Sequence, residues 1–365
     1  MRGGKRVGLW RNSLQSFQHS CHSLHFLSTV FLPLHQRSKT SSPITVYAAL
    51  IDGIIGKPKY IAWTIIRATP LILTGLSIAF AFKTGLFNIG AEGQFIVGSL
   101  VAVLVGAGLD LPAIIHIPLT LLCAAIAGAL WGGIAGWLKS KFGINEVIAN
   151  IMLNWIAFYL SNFVLMTSWL KVPNSETSVP IKDSAKISID WLKGLVGPAT
   201  SVNWGIVISI IIVIIIAFIL AKTTLGFELR AVGFNKFGAE YAGINVNSSI
   251  LKSMAIAGMI AAIAGAIQVM GVTNVITVLP AQEGYGFDGI AVALIANNNP
   301  IGVIFSGLLF GAFKYGGTKM QSVGAPSEVI SIIIGSIVYF IALVHVIKIA
   351  VQKISKKRKT EGVNE

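Results

Sequence analysis

LRAVGFNKFGAEYAGINV, residues 229–246, is polar and punctuated by glycine, and it separates two long apolar runs at 204–221 and 250–270. Asn235 is suited to start a helix, because its short side chain can accept from a free N–H of the first turn. Gly243 is suited to end one, because glycine enters the left-handed conformation that closes a helix at no steric cost. About two turns fit between them, with Lys236 and Glu240 paired at i,i+4 and Phe237 and Tyr241 stacked at the same spacing. A short capped helix that bears two aromatic rings outside the apolar runs has the shape to dock in a groove of a partner. An ordinary solvated loop fits the same pattern.

The rest of the chain says what lies around that stretch. Of 365 residues, 54% are hydrophobic and 12% charged, and the mean hydropathy is +0.77. A soluble domain carries roughly twice that charged fraction. Many apolar runs reach the roughly 17–25 residues that cross a bilayer as helix. The expected fold is therefore an all-α polytopic membrane protein. A net charge of +14 invites nucleic acid, but the basic residues Lys348, Lys353, Lys356, Lys357, Arg358 and Lys359 crowd the C-terminus directly after an apolar run. That positive-inside pattern puts the C-terminus in the cytoplasm and offers contact with anionic membrane lipids. No soluble domain exists to carry a nucleic-acid site. Cys21 and Cys123 make no disulfide framework, and no CxxC, HExxH or spaced His cluster occurs, so neither a metal site nor a catalytic residue is assigned.

Counting back from a cytoplasmic C-terminus gives nine spans, at 62–82, 90–108, 112–137, 145–167, 204–221, 250–270, 283–299, 300–317 and 328–346. Alternation places 222–249 inside together with Lys139 and Lys141. It places 168–203, with Pro173, Pro180 and Pro198, outside. Local charge does not decide the matter, since Lys171, Lys182, Lys186 and Lys193 about equal the basic residues of 222–249. Segment 283–299 is short and glycine-rich and reads equally well as a broken or re-entrant helix. Were it not to cross, everything before it would invert. Residues 1–43 form an atypical N-terminal segment whose best apolar patch, 24–34, contains His25 and Pro33. About eleven residues cover only half the hydrocarbon core. A membrane domain (44–349) and a basic tail (350–365) complete the chain.

Four stretches in order resemble the permeases of ABC importers, in the branch that handles simple sugars, nucleosides and branched-chain amino acids. They are GLFNIGAEGQF (85–95), GINEVIANIMLNWIA (143–157), the opening stretch itself, and GFDGIAVALIANNNPIGVIFSGLLFG (286–311). The likeness runs from about Val46 to the C-terminus and is strongest to the nucleoside subgroup. It implies a multi-pass protein of the bacterial cell membrane with about ten helices. The additional one would fall within 1–43, where none is evident; upstream mistranslation, a frameshifted start or a degraded first helix each account for that. The resemblance makes 236–241 a cytoplasmic coupling helix seated in a separate ABC ATPase, with Arg230, Asn235, Lys236, Phe237, Glu240, Tyr241 and Gly243 as coupling residues. ATP would be bound by that partner: the chain has no GxxxxGK[ST] loop to cradle phosphates and needs no cofactor of its own. A second, different permease would complete a heterodimer around one pathway. An extracytoplasmic substrate-binding lipoprotein would dock on outer surfaces that include part of 168–203. Nucleosides are the expected solute, with simple sugars such as ribose or galactose as the competitor.

Polar side chains at membrane depth are costly and should face a partner or a wet cavity. Glu146, Asn150 and Asn154 recur at i, i+4, i+8 and so share one helix face. The face reads either as hydrogen bonding to neighbouring helices or as a wall of a solute pathway, with Glu146 near a solvated end. Asn88, Glu92 and Gln94 come after a helix break at 85–90. They form either a re-entrant, pathway-lining turn or an ordinary cap, with Asn88 as the capping residue and Glu92 favoured by the helix dipole. Asp288 is a first-turn acid. Phe287 and Tyr285 suit either stacking on a base or an interfacial aromatic belt. The run 297–299 before Pro300 predicts a hairpin with a capping role. Gly258, Ala262, Gly265 and Ala266 predict close helix contacts. An ion-coupled secondary transporter would instead need paired acids deep in the bundle, where amides predominate; a scaffold or receptor would need no ATPase at all.

Overall fold

A computed structural model describes residues 43–326, 328–336, 339–340 and 343. The long helices begin and end at residues that suit those positions. After helix α1 (Pro43–Ile55), α2 (Pro58–Phe82) starts with proline in its first turn, behind an extended Lys57, where the missing N–H costs nothing. Helix α3 (Ala91–Gly108) comes after a non-helical stretch that turns at Gly85, φ +73°. Helix α4 (Ala113–Phe142) ends at Gly143 in the left-handed conformation, with the Ile144 N–H donating back to the Leu138 carbonyl. Asn145 then caps α5 (Glu146–Leu165) by accepting from the Val147 N–H at 2.8 Å.

Beyond α5 the chain forms an irregular cap with a short helix α6 (Asp190–Val196). Helix α7 (Gly205–Lys222) then returns through the bundle. Three capping side chains start the next three helices. Thr223 caps α8 (Thr224–Phe234), Asn235 caps α9 (Lys236–Tyr241) and Asn245 caps α10 (Val246–Gln268), which continues as a π-helical turn, Val269–Thr273. Segment 222–249 is thus two helices and the start of a third, more ordered than one capped helix in a loop. Last come α11 (Tyr285–Ile295) and α12 (Pro300–Ser322).

Seven helices among the described residues are long and apolar enough to cross a membrane: α2, α3, α4, α5, α7, α10 with its π-helical turn, and α12. They correspond to seven of the nine predicted spans. The eighth, 283–299, holds only the 11-residue α11, about 16 Å long and too short to cross alone. The ninth, 328–346, lies partly outside the described residues, as do all of 350–365 and 1–42. Helix α1, which the sequence did not suggest, is also too short to span, and it packs on α12.

Helices α2, α3 and α10 form the centre, with 83%, 72% and 72% of their apolar windows buried, against 28% for α4 and α7. Small residues set the closest crossing. A Cβ on Gly258 of α10 would collide with the Gly128 carbonyl of α4, and one on Gly98 of α3 with the Ala262 carbonyl. The predicted contact face of Gly258, Ala262, Gly265 and Ala266 is therefore real, and backbones approach there because no side chain intervenes.

The bundle has two distinct ends. Helices α8 and α9 sit at the start of α10. Residues 168–203 cover its finish, where the Ile187 N–H donates to the Met270 carbonyl and the Ile181 N–H to Asn274. Segments 222–249 and 168–203 therefore lie at opposite ends, as alternation predicted, and Lys139 and Lys141 share the α8–α9 end. Helix α12 runs antiparallel to α2, since Val303 meets Gly75 while Gly311 meets Ala68. That makes α12 parallel to α10. Segment 274–299 must therefore recross the bundle, and it does so as an extended stretch leading into the half-length α11.

Candidate functional site

The turn before α3 enters the bundle instead of capping a surface helix. Asn88, Glu92 and Gln94 are all fully buried. Asn88 does not cap α3; its Nδ2 donates to Ser77 Oγ (3.0 Å) and Gln94 Oε1 (2.9 Å), and Gln94 Nε2 donates back to Asn88 Oδ1 (3.1 Å). Ser77 in turn donates to the Ala257 carbonyl of α10 at 2.6 Å. One amide pair thus joins α2, α3 and α10 at the middle of the bundle.

Glu92 holds the start of α11. Its two carboxylate oxygens accept from the backbone N–H groups of Gly284 and Gly286, each at 2.7 Å, so the charge lies against the positive end of a helix dipole. A Cβ on Gly286 would strike the α3 backbone at Glu92, which is why glycine is required at this approach. The turn before α3 and the start of α11 therefore meet in space.

On α5 the i, i+4, i+8 stripe divides. Asn154 Oδ1 accepts from the Gly93 N–H (2.8 Å) and Nδ2 donates to the Ile89 carbonyl (3.0 Å), which ties α5 to the α3 turn. Glu146 pairs with Lys139 at 2.6 Å, at the α8–α9 end. Asn150 is buried beside Gly90 with neither amide atom partnered. Asp288, in the first turn of α11, pairs with Lys314 of α12, and Phe287 is half-exposed beside it. In the run 297–299, Asn297 and Asn298 take positive φ and Asn299 caps α12, as the hairpin expectation requires.

A cavity of about 410 Å³ lies nearer the 168–203 end, between α3, α5, the π-helical turn of α10 and the extended 275–283 stretch. Ser99, Ser161, Gln268, Thr273, Thr277 and Glu283 supply its polar groups. Ser99 is buried and its Oγ finds no partner. None of the seven residues singled out from sequence as pathway candidates lines this cavity. Single serines and threonines in apolar runs carry no periodic signal, and Glu283 registered only as the first residue of a predicted span.

At the opposite end, Asn235 Oδ1 accepts from the Gly238 N–H at 3.1 Å, and Gly243 closes α9 at φ +83° while the Ile244 N–H donates to the Ala239 carbonyl. Both sequence-predicted caps are present. The side-chain pairings are not: no ion pair joins Lys236 to Glu240 among the described residues, and the rings point to solvent, with Phe237 79% and Tyr241 97% exposed. Only Ala239 of α9 is buried. Helix α8 fits tightly below, since a Cβ on Gly233 would strike the Lys83 carbonyl at the end of α2. Arg230 donates to the Gly226 carbonyl at 3.2 Å. Burial, and then the charge of Arg230, lower the Lys83 ammonium below its usual pKa.

The family model for the permease component of branched-chain amino acid transport systems matches residues 60–344. The chain is 43% identical over 312 residues to the guanosine ABC transporter permease protein NupP of Bacillus subtilis, covering 85% of this chain and 89% of that protein. It is 35% identical over 329 residues to the nucleoside ABC transporter permease protein NupB of Lactococcus lactis, covering 89% and 90%. The glucose ABC transporter permease protein TsgB13 of Haloferax volcanii is 32% identical over 307 residues, covering 82% and 80%. No solved structure matches the chain.

Proposed function

Since the chain belongs to the permease component family of branched-chain amino acid transport systems, we propose that it is the membrane permease subunit of an ABC importer for nucleosides. The observation that carries the solute class is the 43% identity to a permease named for guanosine, over most of both chains. Helix α9 faces the cytoplasm and seats in a separate ATPase; its exposed Phe237 and Tyr241 on a rigid, doubly capped helix support this, because solvent-facing rings gain most when a partner covers them. The C-terminus is cytoplasmic, and 168–203 faces the substrate-binding lipoprotein. A second permease completes the pathway.

Movement imposed on α9 passes to α8 through the Asn235 junction. From α8 it reaches the end of α2, where Gly233 abuts the Lys83 carbonyl, and then the Gly85 turn and the Asn88–Gln94 amide pair. In this way force applied at one end repositions α3 and, through Glu92, α11, which flank the buried pathway. ATP chemistry stays with the partner.

The test is ATP-driven uptake of labelled guanosine by proteoliposomes that contain the assembled transporter. Uptake that needs the ATPase and is competed by other nucleosides is expected. Uptake that continues without the ATPase would overturn the reading. A glucose-named relative at 32% identity favours sugars as the second reading, and glucose uptake without nucleoside uptake would establish it.

A further inference from the structure

Several charged side chains sit at membrane depth on the face beside the cavity rim. Arg67 lies nine residues into α2, about 13 Å from its start, with its guanidinium over the Trp63 ring at 6.0 Å. Lys314 of α12 stands over the Tyr285 ring at 5.3 Å and pairs with Asp288. Glu283 adjoins Tyr285 and lines the cavity. In the single chain, Arg67 and Glu283 are exposed. Hydrocarbon cannot solvate such groups, so this face meets water or protein.

The charges are also accounted for unequally. Lys314 has Asp288, Arg67 has the Trp63 ring, and Glu92 has two backbone N–H groups. Glu283 alone of these carboxylates has neither a cationic partner nor an N–H donor among the described residues. It stands at the rim of a cavity whose wall holds the buried, partnerless Ser99 hydroxyl and the Gln268 amide. An unpaired carboxylate accepts two donors side by side, whereas Ser99 and Gln268 can serve either role.

We infer that the solute contacts this chain in the 410 Å³ cavity, with Glu283 accepting from a pair of adjacent donors on an uncharged solute and Ser99 and Gln268 completing its hydrogen bonds. The Arg67–Tyr285–Lys314–Asp288 strip is the wet wall beside that station. A further anion is disfavoured there, because Glu283, Glu92 and Asp288 lie close together. On a nucleoside the donor pair is either the amino and ring N–H edge of a guanine-type base or the vicinal hydroxyls of ribose.

This inference rests on the nucleoside reading, and its test keeps the two apart. The assembled transporter, reconstituted with its ATPase and binding protein, is assayed with guanosine, inosine and 3′-deoxyguanosine. Glu283→Ala is expected to raise the half-saturation for guanosine at least about tenfold, as loss of hydrogen bonds to a charged group does, with Glu283→Gln less affected. A penalty that spares inosine assigns the base edge; one that spares 3′-deoxyguanosine assigns the ribose. As a check independent of turnover, Thr277→Cys, with Cys21 and Cys123 replaced by serine, is labelled by a hydrophilic maleimide. Guanosine and a non-hydrolysable ATP analogue should slow that labelling. Unchanged half-saturation for all three solutes, together with unprotected labelling, would overturn the inference while ATPase-dependent uptake by the unmodified transporter left the proposed function standing.

Discussion

Glu92 shows how much one side chain can hold. Both of its oxygens are committed to the α11 start, and the surrounding protein excludes water. Glu92→Ala would strand two buried N–H donors and is expected to cost about 3 kcal/mol or more. Glu92→Gln keeps one acceptor and should cost less. Thermal unfolding of the purified complex checks the order, and equal midpoints for both variants would refute the clasp. Gly258 makes a second case: valine there drives a branched side chain into the Gly128 carbonyl, and overpacking of this kind costs about 1–3 kcal/mol or more. Low recovery of folded Gly258→Val, with Gly258→Ala intermediate, is the expected result. At this scale the sequence was legible where a residue acts on its own backbone. Asn235, Gly243 and Asn299 cap or close helices through neighbours four or fewer positions away. Asn88 stayed between two readings because its partners, Ser77 and Gln94, are chosen by tertiary packing; nothing local distinguishes it from a capping asparagine.

At the scale of elements, α9 carries the prediction. Asn235→Ala removes one cap and should destabilise α9 by about 1 kcal/mol, raising its amide exchange roughly fivefold while α10 is unaffected. Paired replacement of Phe237 and Tyr241 by alanine deletes two solvent-facing rings, so the unfolding midpoint should hold within about 0.5 kcal/mol. ATPase recovery in co-purification should nevertheless fall by about thirtyfold. Undiminished co-purification would remove α9 from the contact. The long helices were legible because twenty apolar residues have few alternatives. Segment 283–299 was harder. Its crossing is made by an extended stretch and a half-helix whose backbone is satisfied by Glu92, by Thr74 donating to the Tyr285 carbonyl, and by the 168–203 cap. Those partners are distant in sequence, so hydropathy registered the segment only as short and glycine-rich.

For the whole molecule, the fold separates two tasks by the length of α10. The exposed rings of Phe237 and Tyr241 stand at one end, and the cavity with its irregular cap lies toward the other. The cavity itself was illegible in the sequence, since its polar wall is assembled from single residues on α3, α5, α10 and the 275–283 stretch. The separation is meaningful only if the bilayer divides the two ends with α9 inside. Impermeant maleimide labelling of intact cells tests this in a background with Cys21 and Cys123 replaced by serine. Trp191→Cys should label from outside, and Lys236→Cys only after the membrane is opened. Labelling of Lys236→Cys in sealed cells would place α9 beyond the reach of any cytoplasmic ATPase.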